Sequence, residues 1–218
     1  MERRSIVNWI SFLLVGLHLN AQAQDDKIWD IRPATTWMTE AYPMGNGRIG
    51  GMVYGGTTYE HIQLNENTLW TGDESNTGAY QDLGDLFIEL RNMDTVENYR
   101  RELDLGSATQ NITYTSSGTT YRREYFCSFP DQVMVLHFTA DKKGAYTAII
   151  RLKDAHAAKT TTEGLTLDIN GALDNGLNTM PVPSYDWKAV PPPRHPTAPY
   201  RSTMPMVSPF TSPPPPII

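Results

Sequence analysis

Gln63-Leu64-Asn65-Glu66-Asn67-Thr68-Leu69-Trp70 sets three amide side chains and a carboxylate just before a tryptophan. An indole face stacks on a pyranose ring while amides and carboxylates bond its hydroxyls, so the stretch suits sugar recognition. Taken alone, the same residues better suit capping a loop and packing between domains. A second cluster, Pro43-Met44-Gly45-Asn46-Gly47-Arg48-Ile49-Gly50-Gly51, holds the densest run of glycines. A phosphate-binding loop needs a helix after its glycines, and the Lys-Ser/Thr ending. Here a strand-like run follows and that ending is missing, so the glycines serve a tight turn and close backbone approach. Asp73, Glu74, Asp82, Asp85 and Glu89 supply carboxylates. Cleavage of a glycosidic bond needs two of them flanking that bond, and no spacing here marks a pair. The histidines (His18, His61, His137, His156 and His195) show no metal-ligand spacing, so neither a metal site nor a cofactor is expected.

The elements that must position these residues read as strands. From Trp29 to about Leu177 no long segment carries helical periodicity, and short alternating runs recur between turn residues. Arg48–Tyr54, Tyr59–Leu64 and Leu86–Leu90 are three such runs. In Tyr59–Leu64, Tyr59, His61 and Gln63 alternate with Glu60, Ile62 and Leu64. Thr109–Thr115 and Thr119–Phe126 flank Ser116-Ser117-Gly118, a hairpin turn. Gln132–Thr139 is the strongest strand, and Tyr146–Leu152 and Leu165–Ile169 complete the set. A brief helix is expected at Asp94–Tyr99. This pattern predicts an all-β, antiparallel β-sandwich.

Composition bounds the partners. The chain has 218 residues with 24 Asp+Glu against 18 Lys+Arg, a net charge of −6, which excludes the basic stripe that nucleic-acid binding needs. Its one cysteine, Cys127, lies in the apolar run Tyr125–Phe129, and excludes a disulfide framework or a cysteine-rich zinc site. The N-terminus has the layout of a secretory signal peptide: Arg3 and Arg4, an apolar stretch Ile10–Leu19, then Ala21-Gln22-Ala23. Ten residues are too few to span roughly 30 Å of hydrocarbon, so the expectation is export, periplasmic or extracellular, with cleavage after Ala23 and no membrane span afterwards. The oligomeric state is not legible.

Three stretches carry a family resemblance: Pro33-Ala34-Thr35-Thr36-Trp37; Glu40-Ala41-Tyr42-Pro43-Met44-Gly45-Asn46-Gly47-Arg48-Ile49-Gly50; and Ile62 through Gly72. In this order they resemble the opening of glycoside hydrolase family 95. Tyr80–Leu86, Tyr99–Leu105 and Phe129–Val133 continue the resemblance, which covers about residues 27–177. It implies an α-L-fucosidase-like protein, or an α-L-galactosidase, that acts on glycan side chains with inversion. It also implies an N-terminal β-sandwich followed by a helical linker, an (α/α)6 barrel and a C-terminal β-domain. The family's catalytic Glu, Asp and Asn lie in the barrel, so no catalytic residue carries over, and fucosylated glycans would be reached through the missing catalytic domain. Asn46, Arg48, Asn65, Glu66 and Trp70 are then barrel-facing or sugar-proximal positions. The stretch between Trp70 and Tyr80 is shorter than in many relatives.

The resulting division is a signal peptide (1–23), an incomplete sandwich (24–177) and a Pro-rich, disordered tail (178–218). Thirteen of 16 prolines lie from Pro181 onward, and no glycine lies beyond Gly176. A rival reading is a free-standing carbohydrate-binding module with this tail as its stalk. The tail also admits a frameshift near Leu177. Back-translated from Met204 and read from each codon's third base, it permits Asp-Ala-Asp-Gly-Val-Thr-Val-Tyr-Leu, which resembles the family's next strand. The nucleotide sequence tests this directly. In that frame it should run through a Val-Thr-Val-Tyr-Leu-like strand into an open frame encoding the barrel. Stop codons directly after Leu177 would make the tail a genuine segment.

Overall fold

The computed structural model describes residues 26–72, 78–91, 93–164 and 166–173, and the backbone of 184–189 and 202–207. The expected signal peptide, Asp73, Glu74, Leu177 and His195 lie outside the described residues. The chain opens with β1 (Lys27–Asp30), the one-turn helix α1 (Trp37–Glu40), β2 (Tyr42–Gly45), β3 (Ile49–Val53) and β4 (Tyr59–Glu66). Then come β5 (Trp70–Thr71), β6 (Ala79–Tyr80), β7 (Gly84–Leu90), β8 (Val96–Asp104), β9 (Thr109–Ser116), β10 (Thr119–Ser128) and β11 (Val133–Ala140). The remaining strands are β12 (Ala148–Asp154), β13 (Thr160–Glu163), β14 (Thr166–Ala172), β15 (Ser184–Ala189) and β16 (Ser202–Val207).

Among the described residues the strands form a nine-stranded sheet, β1-β8-β9-β10-β11-β16-β15-β14-β13, and a five-stranded sheet, β12-β7-β4-β3-β2. β5 and β6 make a separate ribbon. Every described pairing is antiparallel. The fold is the all-β sandwich that the alternation predicts. Its core joins Ile49, Val53, Ile62, Leu64, Leu86 and Ile88 of the smaller sheet to Ile112, Tyr114, Tyr125, Met134 and Leu136 of the larger. The turn Ser117-Gly118 has φ of 49° and 66°, the left-handed pair that a two-residue hairpin requires. Gly51 faces inward, and a Cβ there would lie 2.9 Å from Ile62 and 3.1 Å from Met134 of the opposite sheet. The close approach expected of the glycine cluster is thus met at Gly51 inside the sandwich.

One expectation is corrected. Asp94–Tyr99 is not helical, because Val96 begins β8. A β-bulge between Glu97 and Arg100, with Asn98 at φ 53°, shifts the register and breaks the period-2 signal there. β1 and β2 are too short to announce themselves by alternation. Two strands, β15 and β16, lie within the Pro-rich segment, β16 pairing with β11 from Val133↔Val207 to Phe138↔Ser202. Cys127 is half-buried, and burial pushes its thiol up to about 12, which suits a packing role.

Between the sheets sits an ion pair. Glu60 projects from β4 with the phase of Ile62, and Arg123 projects from β10 with the phase of Tyr121 and Tyr125. Both side chains are fully buried, and Arg123 NH1 lies 3.2 Å from Glu60 Oε2. Tyr125 donates its hydroxyl to Oε2 at 3.1 Å, while the amides of Gly55 and His61 donate to Oε1 at 2.7 and 3.1 Å. Arg123 also donates to the Gly56 carbonyl at 2.6 Å, the Thr57 carbonyl at 3.2 Å and the Tyr114 hydroxyl at 2.6 Å. Burial raises the Glu60 carboxyl, and the Arg123 charge and these donors oppose it. Removing one partner leaves the other charged and dry. Glu60→Ala should therefore cost about 3–5 kcal/mol in urea unfolding. A loss below about 1 kcal/mol, the size of an exposed pair, would contradict this role.

Candidate functional site

The two clusters that the sequence singles out meet at the end of the β3–β4 hairpin. Ile49 pairs with Glu66 and Gly50 with Asn65, which brings the glycine turn against the loop leading to Trp70. The turn is shaped by Asn46. Its Oδ1 accepts the amides of Arg48 and Ile49 at 3.1 and 3.0 Å, and its Nδ2 donates 2.7 Å to the Ser128 carbonyl of the larger sheet. Gly47 has φ 91°, a conformation that disfavours other residues.

Glu66 continues the inward phase of β4 and is fully buried. Oε1 accepts Arg48 Nε at 3.0 Å, and Oε2 accepts the amide and hydroxyl of Thr68, the amide at 2.8 Å. Asn65 Oδ1 accepts the Glu66 amide at 2.8 Å. Asn67 donates its amide to the Arg48 carbonyl at 2.9 Å and its Nδ2 to Gly47 at 3.2 Å. All these groups fasten the turn to the loop. A buried carboxylate engaged by a guanidinium and by Thr68 has no free oxygen face for proton transfer to a ligand.

Trp70 follows this lock in the chain. It lies on β5 and is 50% exposed, its ring 5.7 Å from that of Tyr80 on β6, tilted by 44°. Tyr80 is 43% exposed, and burial, then the Glu66 charge, raises its hydroxyl pKa. Two half-exposed aromatic rings offer apolar faces with a polar tip, a surface that stacks on sugar rings. Tyr80 is the site residue that reading the motif by itself misses. Gly72 and Gly78, both at positive φ, mark the ribbon that returns it to Trp70, and they were the available signal.

Among the described residues, Asp82, Asp85, Glu89, His61 and His156 are occupied elsewhere, while His137 Nε2 is buried without a hydrogen-bond partner. Asp85 Oδ1 is 2.6 Å from His61 Nε2, and Asp82 accepts Gln63 Nε2 at 3.2 Å. Glu89 meets Arg91 at 2.8 Å and Arg151 at 3.1 Å. His156 Nε2 lies 2.7 Å from the Asp82 carbonyl. His61 stacks between Tyr54 and Phe87, with centroids at 4.5 and 4.7 Å, on the outer face of the smaller sheet. Lock and platform should respond differently to mutation. Arg48→Ala leaves a buried carboxylate short of a partner and should cost about 1–3 kcal/mol in urea unfolding. Trp70→Ala should stay within about 0.5 kcal/mol, as a half-exposed side chain outside the core. Equal losses would show that Trp70 is structural.

Known proteins are similar to this chain. A family model described as "Glycosyl hydrolase family 65, N-terminal domain" matches residues 28–79 and 73–189. "Alpha-L-fucosidase 2" of Arabidopsis thaliana is 32% identical over 208 aligned positions, covering 72% of this chain and 25% of the relative. "Probable alpha-fucosidase A" of Aspergillus niger is 26% identical over 208 positions, 72% of this chain and 26% of the relative. The chain spans about a quarter of the length of the curated relatives it matches. The number 95 rests on the sequence resemblance. The model match and the fucosidase relatives agree on an N-terminal glycoside hydrolase domain, and with most of its length matched the chain belongs to the glycosyl hydrolase family 65 N-terminal domain family.

Proposed function

We propose that this chain is the N-terminal, non-catalytic sandwich of an exported α-L-fucosidase-like glycoside hydrolase, in which another domain does the chemistry. In the complete enzyme that domain would hydrolyse terminal α-L-fucosyl or α-L-galactosyl residues with inversion, and fucosylated glycans would be its substrates. The observation that carries the reading is the state of Glu66. The one carboxylate beside the sugar-like motif is buried and bound to Arg48 and Thr68, so it holds a loop in place. Asp82, Asp85 and Glu89 are likewise matched to an amide, a histidine and two arginines. None of these stands as half of a free acid–base pair. The signal-like layout of Arg3, Arg4, Ile10–Leu19 and Ala21-Gln22-Ala23 supports export. The family match reaches residue 189, so the departure from the family pattern would fall nearer the end of β15 than Leu177.

A second reading has one observation in its favour: the half-exposed Trp70–Tyr80 pair would serve a free-standing carbohydrate-binding module. Activity and binding separate the two. Purified mature chain should release no fucose from 2′-fucosyllactose or an aryl α-L-fucoside. Release above a buffer control, abolished by mutating a carboxylate within residues 24–177, would overturn the first reading. Glycan-array binding lost in Trp70→Ala would favour the second.

A further inference from the structure

The outermost strands of the two sheets are guarded unequally. β2, at one end of the smaller sheet, carries Pro43, which has no N–H to offer a further strand. β12, at its other end, presents exposed Arg151 and Lys153. β13, at one end of the larger sheet, reads Thr-Thr-Thr-Glu and has nothing apolar to bury. β1, at the opposite end, reads Lys-Ile-Trp-Asp. Ile28 and Trp29 are 48% and 53% exposed there. Lys27, the residue that would guard this edge, is held at 2.8 Å by Glu102 of its own sheet.

Apolar exposure gathers around this edge. Of the eleven exposed large hydrophobic side chains among the described residues, six are Ile28, Trp29, Ile31, Trp37, Met38 and Leu105. They lie on β1, on the segment through α1 that Arg101 fastens at the Glu40 carbonyl, and just past β8. Exposed apolar surface gathered in this way marks an interaction site. The backbone is open as well. Leu105 donates its amide to the Asp26 carbonyl at 2.8 Å, so Asp26, Ile28 and Asp30 bond to β8. Lys27 and Trp29, which alternate with them, turn their N–H and C=O groups to the open side. Ile28 pairs with the buried Leu103, so it has the inward phase without the cover.

Such an edge takes another extended strand, and the order of residues in β1 suits its own copy. A two-fold axis perpendicular to the sheet keeps the faces in step, so inward residues meet inward ones. Centring that axis on Ile28 pairs Lys27 with Trp29 of the second copy, and Trp29 with Lys27. The open residues then stand opposite each other, and each pair exchanges both N–H···O bonds. Ile28 meets Ile28 in the closer, non-hydrogen-bonded position, which buries the uncovered side chain. Asp26 and Asp30 come together at the ends of the pairing, where Arg101 already lies 3.3 Å from Asp30. Slipping by two residues sets Lys27 on Lys27 in one direction and Ile28 on Asp30 in the other. We infer that β1 is a homodimerisation edge, joining two copies of this chain by an antiparallel β1–β1 pairing centred on Ile28. The pairing uses up both edges and so closes at a dimer. It stands apart from the fucosidase reading, and failure of either leaves the other intact.

Sedimentation equilibrium of purified mature chain tests association. The mass should rise from one copy to two across about 1–100 μM, as suits a small interface. Ile28→Lys, a change at a half-exposed position, should weaken association at least about tenfold by setting like charges opposite each other. Cysteine cross-linking reads the register. Facing Cα atoms about 4.5 Å apart lie within disulfide reach, so Ile28→Cys should cross-link under copper–phenanthroline oxidation. Trp29→Cys should not, because Trp29 faces Lys27 of the second copy. Cys127 does not compete, since it is half-buried and burial holds its thiol pKa at about 12. Three results would overturn the inference: association unchanged in Ile28→Lys, equal cross-linking at the two positions, or a monomer at every concentration. The last would leave the edge to another domain of a longer protein.

Discussion

A carboxylate buried between two β-sheets has to be answered by a cation from the facing sheet, and Glu60 and Arg123 meet that demand here. Either charge alone in the dry core would be strongly destabilising, so the pair fixes which strands face each other and in what register. It also organises the segment between β3 and β4. Glu60 holds the amides of Gly55 and Gly56, and Arg123 holds the carbonyls of Gly56 and Thr57. The chain passes so close to itself that a Cβ on Gly56 would lie 1.9 Å from the Tyr59 carbonyl oxygen. Glycine is required there by space.

The same strand repeats the device at its other end. Glu66 lies six residues beyond Glu60, in the same inward phase, and is equally buried. Its arginine comes from the neighbouring strand's turn and its remaining partner from Thr68. A further joint sits at the outer strands. Arg101 of β8 is buried, donates to the Glu40 carbonyl at 2.7 Å and lies over the Tyr42 ring at 4.2 Å. Gln110 adds donors to the carbonyls of Tyr42 and Pro43 at 2.9 and 3.0 Å. Glu40 in turn gathers Thr35 and Arg32, and those bonds, the Thr35 amide first, hold its carboxyl down to about 2. Polar side chains thus stitch the segment before β3 to the nine-stranded sheet.

Side chains that resemble a catalytic set in one dimension become fasteners in three, because a buried carboxylate surrounded by donors is held in place and screened from ligands. Beside them, Trp70 and Tyr80 present half-exposed aromatic area.

The sequence by itself determined the class of fold, because period-2 alternation has one physical reading when apolar positions must share a face. It also placed Glu60 on the apolar face beside Ile62 and Leu64, and put Arg123 in step with Tyr121 and Tyr125. The signal for the buried pair was therefore present in each strand. What the sequence could not supply was the match between them, since the partners are 63 positions apart and sit on different sheets. The same limit left the partner of Glu66 open: beside Asn65, Asn67 and Trp70 it reads as a loop cap or a sugar ligand, and only the pairing of Ile49 with Glu66 delivers Arg48 to it. The bulge at Glu97–Arg100 hid a strand by breaking its period. Local pattern fixes which way each side chain points. The packing of the two sheets decides what it meets, because that depends on strand order and register, which no window of neighbouring residues contains.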